Sequence, residues 1–446
     1  MGNAIYLGGF LVMVIPLAMS RFQESKGIKR VVLGALILLL EACLLVTLSR
    51  SAWVGIFFAI TFWVFMIGPK EILKERKAWG VIFFAAAILL TVFMVPKRVG
   101  YSRVAARAAS IVNTKESGNR SRIENWKSAL KMIEDRPILG SGPGTFGLLF
   151  PRYKTREFSL AIGGGMTAEN AHNEFLQIGA TRGLLGLGVY LWLLLAIFYV
   201  GLRLIREKKK RTYLAGLLAG LLALLIQNQF NFAPMTLFVY FWIFLGMVAA
   251  EQGKKVSPRV LRIPNFIRVA ICGTILMMLI LFRLALLPYW ADGHYKNGLA
   301  YAQGDRWDKA IAEYKIAITL NGYTTEYHRR LGSAYKKQAF LSENIQEKRE
   351  LLKKAIAEFQ KNLQLDPYRP YHYNNLGIGY MWLAQFAGEP TVGAAQEQFV
   401  KTLEIDPLFV GAMNNLAKSY GYEGREEEAI VLWEKALEID PSFEEA

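Results

Sequence analysis

The stretch GNRSRIENWKSALKMIEDRPILGSGPGTF, Gly118–Phe146, decides how this chain is read, because polar, basic and glycine-rich residues gather there in a protein otherwise dominated by hydrocarbon. It is the middle of a long polar interruption, residues 96–182, which opens with PKRVGYSRVAAR (96–107). The interruption closes inside AENAHNEFLQIGATRGLLGL (168–187), which holds His172, the first histidine of the chain. Chemistry is expected here, and the flanking sequence has to explain how the segment is held.

The flanks are apolar enough to place the chain in a membrane. Over 446 residues the hydrophobic fraction is 53%, and the mean hydropathy is +0.24, both too high for an ordinary soluble protein. Eight runs are long enough to cross about 30 Å of hydrocarbon: residues 4–20, 31–49, 51–68, 79–95, 183–203, 212–230, 232–250 and 266–288. The net charge of +17 resides largely in short basic clusters between these runs, a pattern that orients a membrane protein and argues against nucleic acid as partner. Cys43 and Cys272 both lie in apolar runs, so neither a disulfide nor a paired-cysteine metal site is expected.

Short loops rich in Lys and Arg stay on the cytoplasmic side. Four qualify: Arg21, Lys26, Lys29 and Arg30; Lys70, Lys74, Arg76 and Lys77; Arg206 with Lys208, Lys209, Lys210 and Arg211; and Lys254, Lys255, Arg259 and Arg262. They alternate correctly with eight runs. The SRSAW corner at 49–53, the loop 96–182, the QNQFNFAP corner at 227–234 and everything beyond Pro288 then fall outside. Met1 would also start outside, without a basic leader or a signal-peptide cleavage site, which leads us to expect that an odd number of N-terminal helices precedes this stretch.

Beyond Pro288 the period changes to that of 34-residue tetratricopeptide units. Gly298, Tyr301, Ala310, Tyr314 and Ala317 share their internal spacing with Ala417, Tyr420, Ala429, Trp433 and Ala436. Leu331, Gly332 and Tyr335, then Leu376, Gly377 and Tyr380, open two units between them. The repeats fall at about 291–324, 325–369, 370–409 and 410–443. The expectation is therefore an all-α chain: a polytopic transmembrane helix bundle of about eight spans over 1–288, with a large extracytoplasmic loop, then a tetratricopeptide α-solenoid over 289–446. The last repeat lacks a polar capping helix, so an exposed apolar end, a protein partner or a longer native chain is expected there.

Four residues on the outer side are candidates for chemistry. Arg50, in LSRSAW, has two readings: an interfacial anchor beside Trp53, or a guanidinium aimed at an anionic head group, whose phosphate oxygens it would bind in pairs. Arg120 and Arg122 precede an amphipathic stretch, Ile123–Glu134, with Trp126, Leu130 and Ile133 at helical spacing. They would stand at that helix's N-terminus, which favours anions, or simply be solvated loop charge. His172 has an unperturbed pKa near 6.5 suited to proton abstraction, although a lone histidine is more often structural. No second soft ligand lies near it, so no metal is expected. GSGPGTF lacks the Lys-Ser/Thr of a phosphate-binding loop and reads as a tight turn, and the loop's carboxylates form no evident glycosidase pair.

Taken in order, SRSAW, then R-x-x-x-W-x-x-A-L ending in DRPILGSGPGTF, then AHNEFLQ followed by GLLGL resemble the O-antigen ligase and polymerase superfamily of envelope glycosyltransferases, from about Asn3 to Leu187. The resemblance implies a bacterial cytoplasmic-membrane enzyme. Its donor would be a glycan on undecaprenyl diphosphate, and its acceptor a glycan, lipid or protein hydroxyl on the outer face. It implies Arg50 and Arg122 as the arginines holding the diphosphate, Arg120 as a second-rank contact, and His172 as the base, with no cofactor. Where the family often has an acidic residue before GLLGL, this chain has Thr181 and Arg182. Two other readings are a non-enzymatic membrane scaffold that recruits partners through its repeats, and a transporter using Glu41 and Arg283.

Overall fold

The computed structural model describes residues 4–94, 107, 110, 117–163, 165–207, 211–231, 235–252 and 265–443. Among the residues singled out above, Asn3, Lys208, Lys209, Lys210, Pro234 and the whole basic cluster Lys254, Lys255, Arg259 and Arg262 lie outside them. Every regular element among the described residues is a helix. The chain divides into two compact units, Met1–Ala161 with Ala168–Val256, and Ile162–Thr167 with Ser257–Ala446.

The first unit contains α1 (Ala4–Glu24), α2 (Gly27–Val46), α3 (Arg50–Ile67), α4 (Pro69–Lys74), α5 (Arg76–Met94), α6 (Ser117–Asp135), α7 (Phe146–Tyr153), α8 (Arg156–Ile162), α9 (Glu174–Arg206), α10 (Arg211–Gln227) and α11 (Met235–Ala250). All seven apolar runs of this unit fall largely within helices. Length and apolarity suffice to cross a membrane in four helices of the described chain: α1, α3, α9 and the stretch Cys272–Gln303 of the second unit. Helices α10 and α11 have 17 and 16 residues, about 25 Å of rise against about 30 Å of hydrocarbon. Helix α2 carries Lys29, Arg30 and Glu41. Helix length and composition thus support four spans, fewer than the eight expected.

Helix α1 is the most buried of the four and packs on α10 through glycines spaced one turn apart. A Cβ on Gly220 would stand 2.5 Å from the Met13 carbonyl oxygen, and one on Gly216 2.9 Å from that of Pro16. Small residues at this spacing let two backbones touch where hydrocarbon offers no other drive to associate. Pro16 leaves a helical position without its N–H. The Ser20 hydroxyl donates to the Pro16 carbonyl at 3.0 Å and accepts from the Trp63 indole at 2.8 Å, tying α3 to the same place.

The ends of this unit differ in character. Three basic clusters meet at one end: Arg30 pairs with Glu75 at 2.6 Å, Gln23 donates to the Glu71 carbonyl, and the Arg21 guanidinium lies 4.9 Å from the Tyr213 ring centre. The SRSAW and QNQFN corners meet each other elsewhere, through Asn231 and Ser51.

In the second unit one helix, α12 (Asn265–Gln303), carries both the last apolar run and the opening of the solenoid, passing through Pro288. Seven helices follow: α13 (Trp307–Leu320), α14 (Thr325–Leu341), α15 (Ile345–Leu365), α16 (Pro370–Ala387), α17 (Val392–Ile405), α18 (Val410–Tyr422) and α19 (Glu426–Ile439). They pack as consecutive hairpins, and the aligned small and large residues are the ones in contact. A Cβ on Gly298, Gly332 or Gly377 would stand 2.5, 2.7 or 2.6 Å from the ring of Tyr314, Phe359 or Phe399, respectively. In the last hairpin Ala417 is buried, and the Trp433 indole donates to Asn414 at 2.9 Å. Ile430 and Val431 of α19 are exposed.

Candidate functional site

The site starts at the corner between α2 and α3. Leu48 takes a left-handed conformation, φ +53°, which non-glycine residues adopt at a cost. The chain thereby reverses in three residues and sets Arg50 at the start of α3. Arg50 is only 8% exposed. It points inward, donating to the Ser110 carbonyl at 2.7 Å and to the Ser110 hydroxyl at 3.1 Å. The Trp53 indole donates to the Leu44 carbonyl. A side chain engaged in this way is not an interfacial anchor reaching for water.

Arg122 enters from α6. That helix begins at Ser117, earlier than the amphipathic stretch read from sequence, so Arg122 sits in its second turn rather than beside free N–H groups. The buried face also differs: Asn125, Ser128, Ala129 and Met132 are buried, while Leu130 is 48% exposed. The reason is that Met132 and Ala129 meet Phe146, Phe150 and Phe158 of the following helices, in a small core belonging to the loop itself. Arg122 donates to the Asn231 side-chain oxygen at 3.4 Å, and the Asn231 amide in turn donates to the Ser51 hydroxyl. Asn231, 3% exposed, thus joins the two corners and α6. Arg120 lies on the exposed side of α6, where its charge acts on Lys127.

His172 stands immediately before α9. It too has a left-handed backbone, φ +51°, held by local bonds: the His172 amide donates to Asn170, the Ala171 amide to Gln177 at 2.8 Å, and Asn173 caps α9 by accepting from the Leu176 amide. The QNQFN corner fastens this turn from the other side, since the Glu174 amide donates to the Asn228 carbonyl at 2.9 Å and Asn173 donates to that of Gln229. Burial first, and then the positive charge of Arg122, lower the His172 pKa to about 4. The ring is therefore neutral at physiological pH, in the state a proton acceptor requires.

The glycine-rich turn does bring the chain back, and it does so by clasping α9. Gly183 interrupts that helix with φ +66°. Into the gap fit residues 137–142: the Ser141 and Gly142 amides donate to the Ala180 and Thr181 carbonyls, and the Leu184 amide donates to the Pro137 carbonyl at 2.7 Å. A side chain at Gly140 would collide with the Arg182 and Gly183 backbone. These amides are spent on protein carbonyls, so the turn offers no phosphate cradle.

A cavity of about 280 Å³ lies between the corners, lined by Ile5, Thr47, Leu48, Ser49, Arg50, Ser51, Arg107, Arg122 and Asn231. Three of these are cationic, and none of the described lining residues is acidic. Arg50 and Arg122, expected together, are together. Arg120 is not in the lining, and His172 is linked to it through the charge of Arg122 and the shared corner. Arg107 and Asn231 were not singled out from sequence. Asn231 had a signal, four amides within the five residues QNQFN between two apolar runs. Arg107, one of several arginines in a basic string, had none. A larger cavity of about 500 Å³ in the second unit, around Asp305, Arg306, Lys309 and Glu347, mixes charges of both signs and gathers no comparable set.

Residues 33–191 match the O-antigen ligase (Wzy_C) family model, a span that includes Arg50, Arg107, Arg122 and His172. The segment is similar to O-antigen ligase domains. No curated protein matches the chain. Among solved structures, a crystal structure of MamA is 25% identical, covering 34% of this chain and 78% of that one, with a TM-score of 0.28. A thermophilic TPR protein of Thermus thermophilus, TTC0263, is 16% identical over 34% of this chain and 93% of its own, TM-score 0.25. The TPR protein YrrB is 18% identical over 34% and 87%, TM-score 0.21.

Proposed function

We propose that this protein transfers a glycan from an undecaprenyl-diphosphate-linked donor to an acceptor hydroxyl or growing glycan at the outer face of the bacterial cytoplasmic membrane, without a metal. The observation that carries this reading is the convergence of Arg50 and Arg122 on one cavity without described carboxylates, with the neutral His172 electrostatically coupled to Arg122. A pair of guanidinium forks suits the oxygens of a diphosphate and does the work a divalent cation does elsewhere. The acceptor oxygen attacks the anomeric carbon, its proton passes to His172, and the anomeric C–O bond breaks with its electron pair left on the diphosphate. Because the leaving group is already stabilised by cations, no general acid is needed. A positioned base supplies about 3 to 5 kcal/mol of barrier reduction.

We assign eight spans and the alternating orientation on two grounds. Three of the basic clusters meet at one end of the first unit, and the SRSAW and QNQFN corners meet each other around the cavity. On this reading the cavity, the loop 96–182 and the repeats belong to the outer side, where the solenoid would receive a protein partner or acceptor.

The test is transfer by the full-length protein in lipid nanodiscs supplied with a labelled lipid-diphosphate glycan and acceptor. His172→Ala and Arg122→Ala are expected to abolish transfer while expression persists. Wild-type turnover by either variant would overturn the assignment, and partner capture without turnover by the wild type would favour the scaffold.

A further inference from the structure

We propose that Arg107 is a third guanidinium of the cavity, and that it answers the negative charge appearing on the leaving diphosphate rather than the charge of the intact donor. This rests on the donor reading above and concerns a residue to which no role attaches there.

Arg107 is bound into the same corner as Arg50 by reciprocal ties. Its Nε–H donates to the carbonyl of Leu48, the strained residue of the corner, at 3.3 Å. The Ser110 hydroxyl donates to the Arg107 carbonyl at 2.8 Å, while Ser110 accepts from Arg50 with both its carbonyl and its hydroxyl oxygen. The corner thus holds Arg107 and Ser110, and these two hold the corner. Arg107 and Arg50 line the cavity with Arg122, Ser49, Ser51 and Asn231. Three guanidinium groups lining so small a volume favour an anion there.

The intact donor is a diester of diphosphoric acid and carries two negative charges, one on each phosphate. Two arginines balance it. When the anomeric C–O bond breaks, the electron pair stays on the terminal phosphate oxygen, and the product is a monoester. The second ionisation of such a phosphate lies near pH 6, so at neutral pH a third negative charge appears. The acceptor's proton is on His172 and does not cancel it. A third fixed cation placed for this charge stabilises the transition state and product more than the bound donor, the condition for raising rate rather than affinity.

The experiment measures binding to the full-length protein in nanodiscs with two probes: farnesyl diphosphate, a monoester, and the methyl ester of its terminal phosphate, a diester. Wild-type protein is expected to prefer the monoester by about tenfold, the size of one charge-assisted contact. Arg107→Gln removes the preference and leaves diester affinity within about twofold, while Arg107→Lys, which keeps the charge, retains most of it. Inorganic diphosphate competes more weakly than farnesyl diphosphate, and equal affinity would point to a free anion and overturn the lipid-linked source. An undiminished preference in Arg107→Gln, or an equal loss for both probes, would overturn the role of Arg107. Failure of either probe to bind wild-type protein would instead strike at the diphosphate reading itself.

Discussion

Each of the two units holds a histidine with its pKa lowered to about 4, and in both burial of the ring, partial at His172 and nearly complete at His372, is the largest cause. They differ in what stands beside them. His172 sits in a left-handed turn, and its second influence is Arg122, a residue of the arginine cavity. His372 lies in the first turn of α16, 1% exposed, against Tyr371, and its second influence is Asp366, which acts in the opposite direction. Among the described residues neither of its ring nitrogens has a hydrogen-bond partner. A depressed pKa therefore marks burial in both places, and only at His172 is it coupled to the arginine cavity.

The comparison is sharpened most by Asn231, which belongs to the first unit alone. Asn231→Ala removes the link between Arg122 and Ser51, and is expected to lower kcat/KM about tenfold in the transfer assay, the worth of one or two buried hydrogen bonds. An unchanged rate would mean that Arg122 is placed without its corner.

The next effect is on pH dependence. Since the His172 ring is neutral above about 4, kcat/KM should be flat from about pH 5.5 to about 8 and fall only as pH drops toward 4. A bound diphosphate offsets the charge of Arg122, one of the two causes of the depression, so the inflection in kcat should lie higher, by about one pH unit. A single inflection near 6.5 in both profiles would show that the ring is not held as described.

The smallest effect on activity is expected at the other histidine. His372→Leu should leave transfer within about twofold and raise the thermal midpoint of the solenoid, since it replaces two unpartnered buried nitrogens with hydrocarbon. A large loss of transfer would erase the distinction between the two units.

The units also differ in how much of them was legible in the sequence. In the solenoid the same kind of contact recurs in each unit, and the repeat pattern had already set Gly298, Gly332 and Gly377 at equivalent positions, each of which meets an aromatic ring: Tyr314, Phe359 and Phe399. The site has no period. Asn231 meets Ser51 and Arg122 across 180 and 109 residues, and Arg50 meets Ser110 across 60. Arg50, Arg122 and His172 were singled out because they stand in short motifs, whereas Arg107 stands in none. The apolar face of α6 was legible only in part: Ile133 packs on the loop's aromatic cluster and Trp126 is half-buried near Phe230, but Leu130 is exposed, because the rings of α7 and α8 decide which side is covered.

The clasp at Gly183 bears on how such a protein diversifies. It is made from main-chain atoms of residues 137–142 and 180–185, with a glycine on each side where a Cβ would collide. This part of the register of the helix that follows His172 therefore does not depend on the identity of side chains elsewhere in the loop 96–182. Drift in those side chains would leave this join standing, so that novelty and constancy are divided between side chain and backbone.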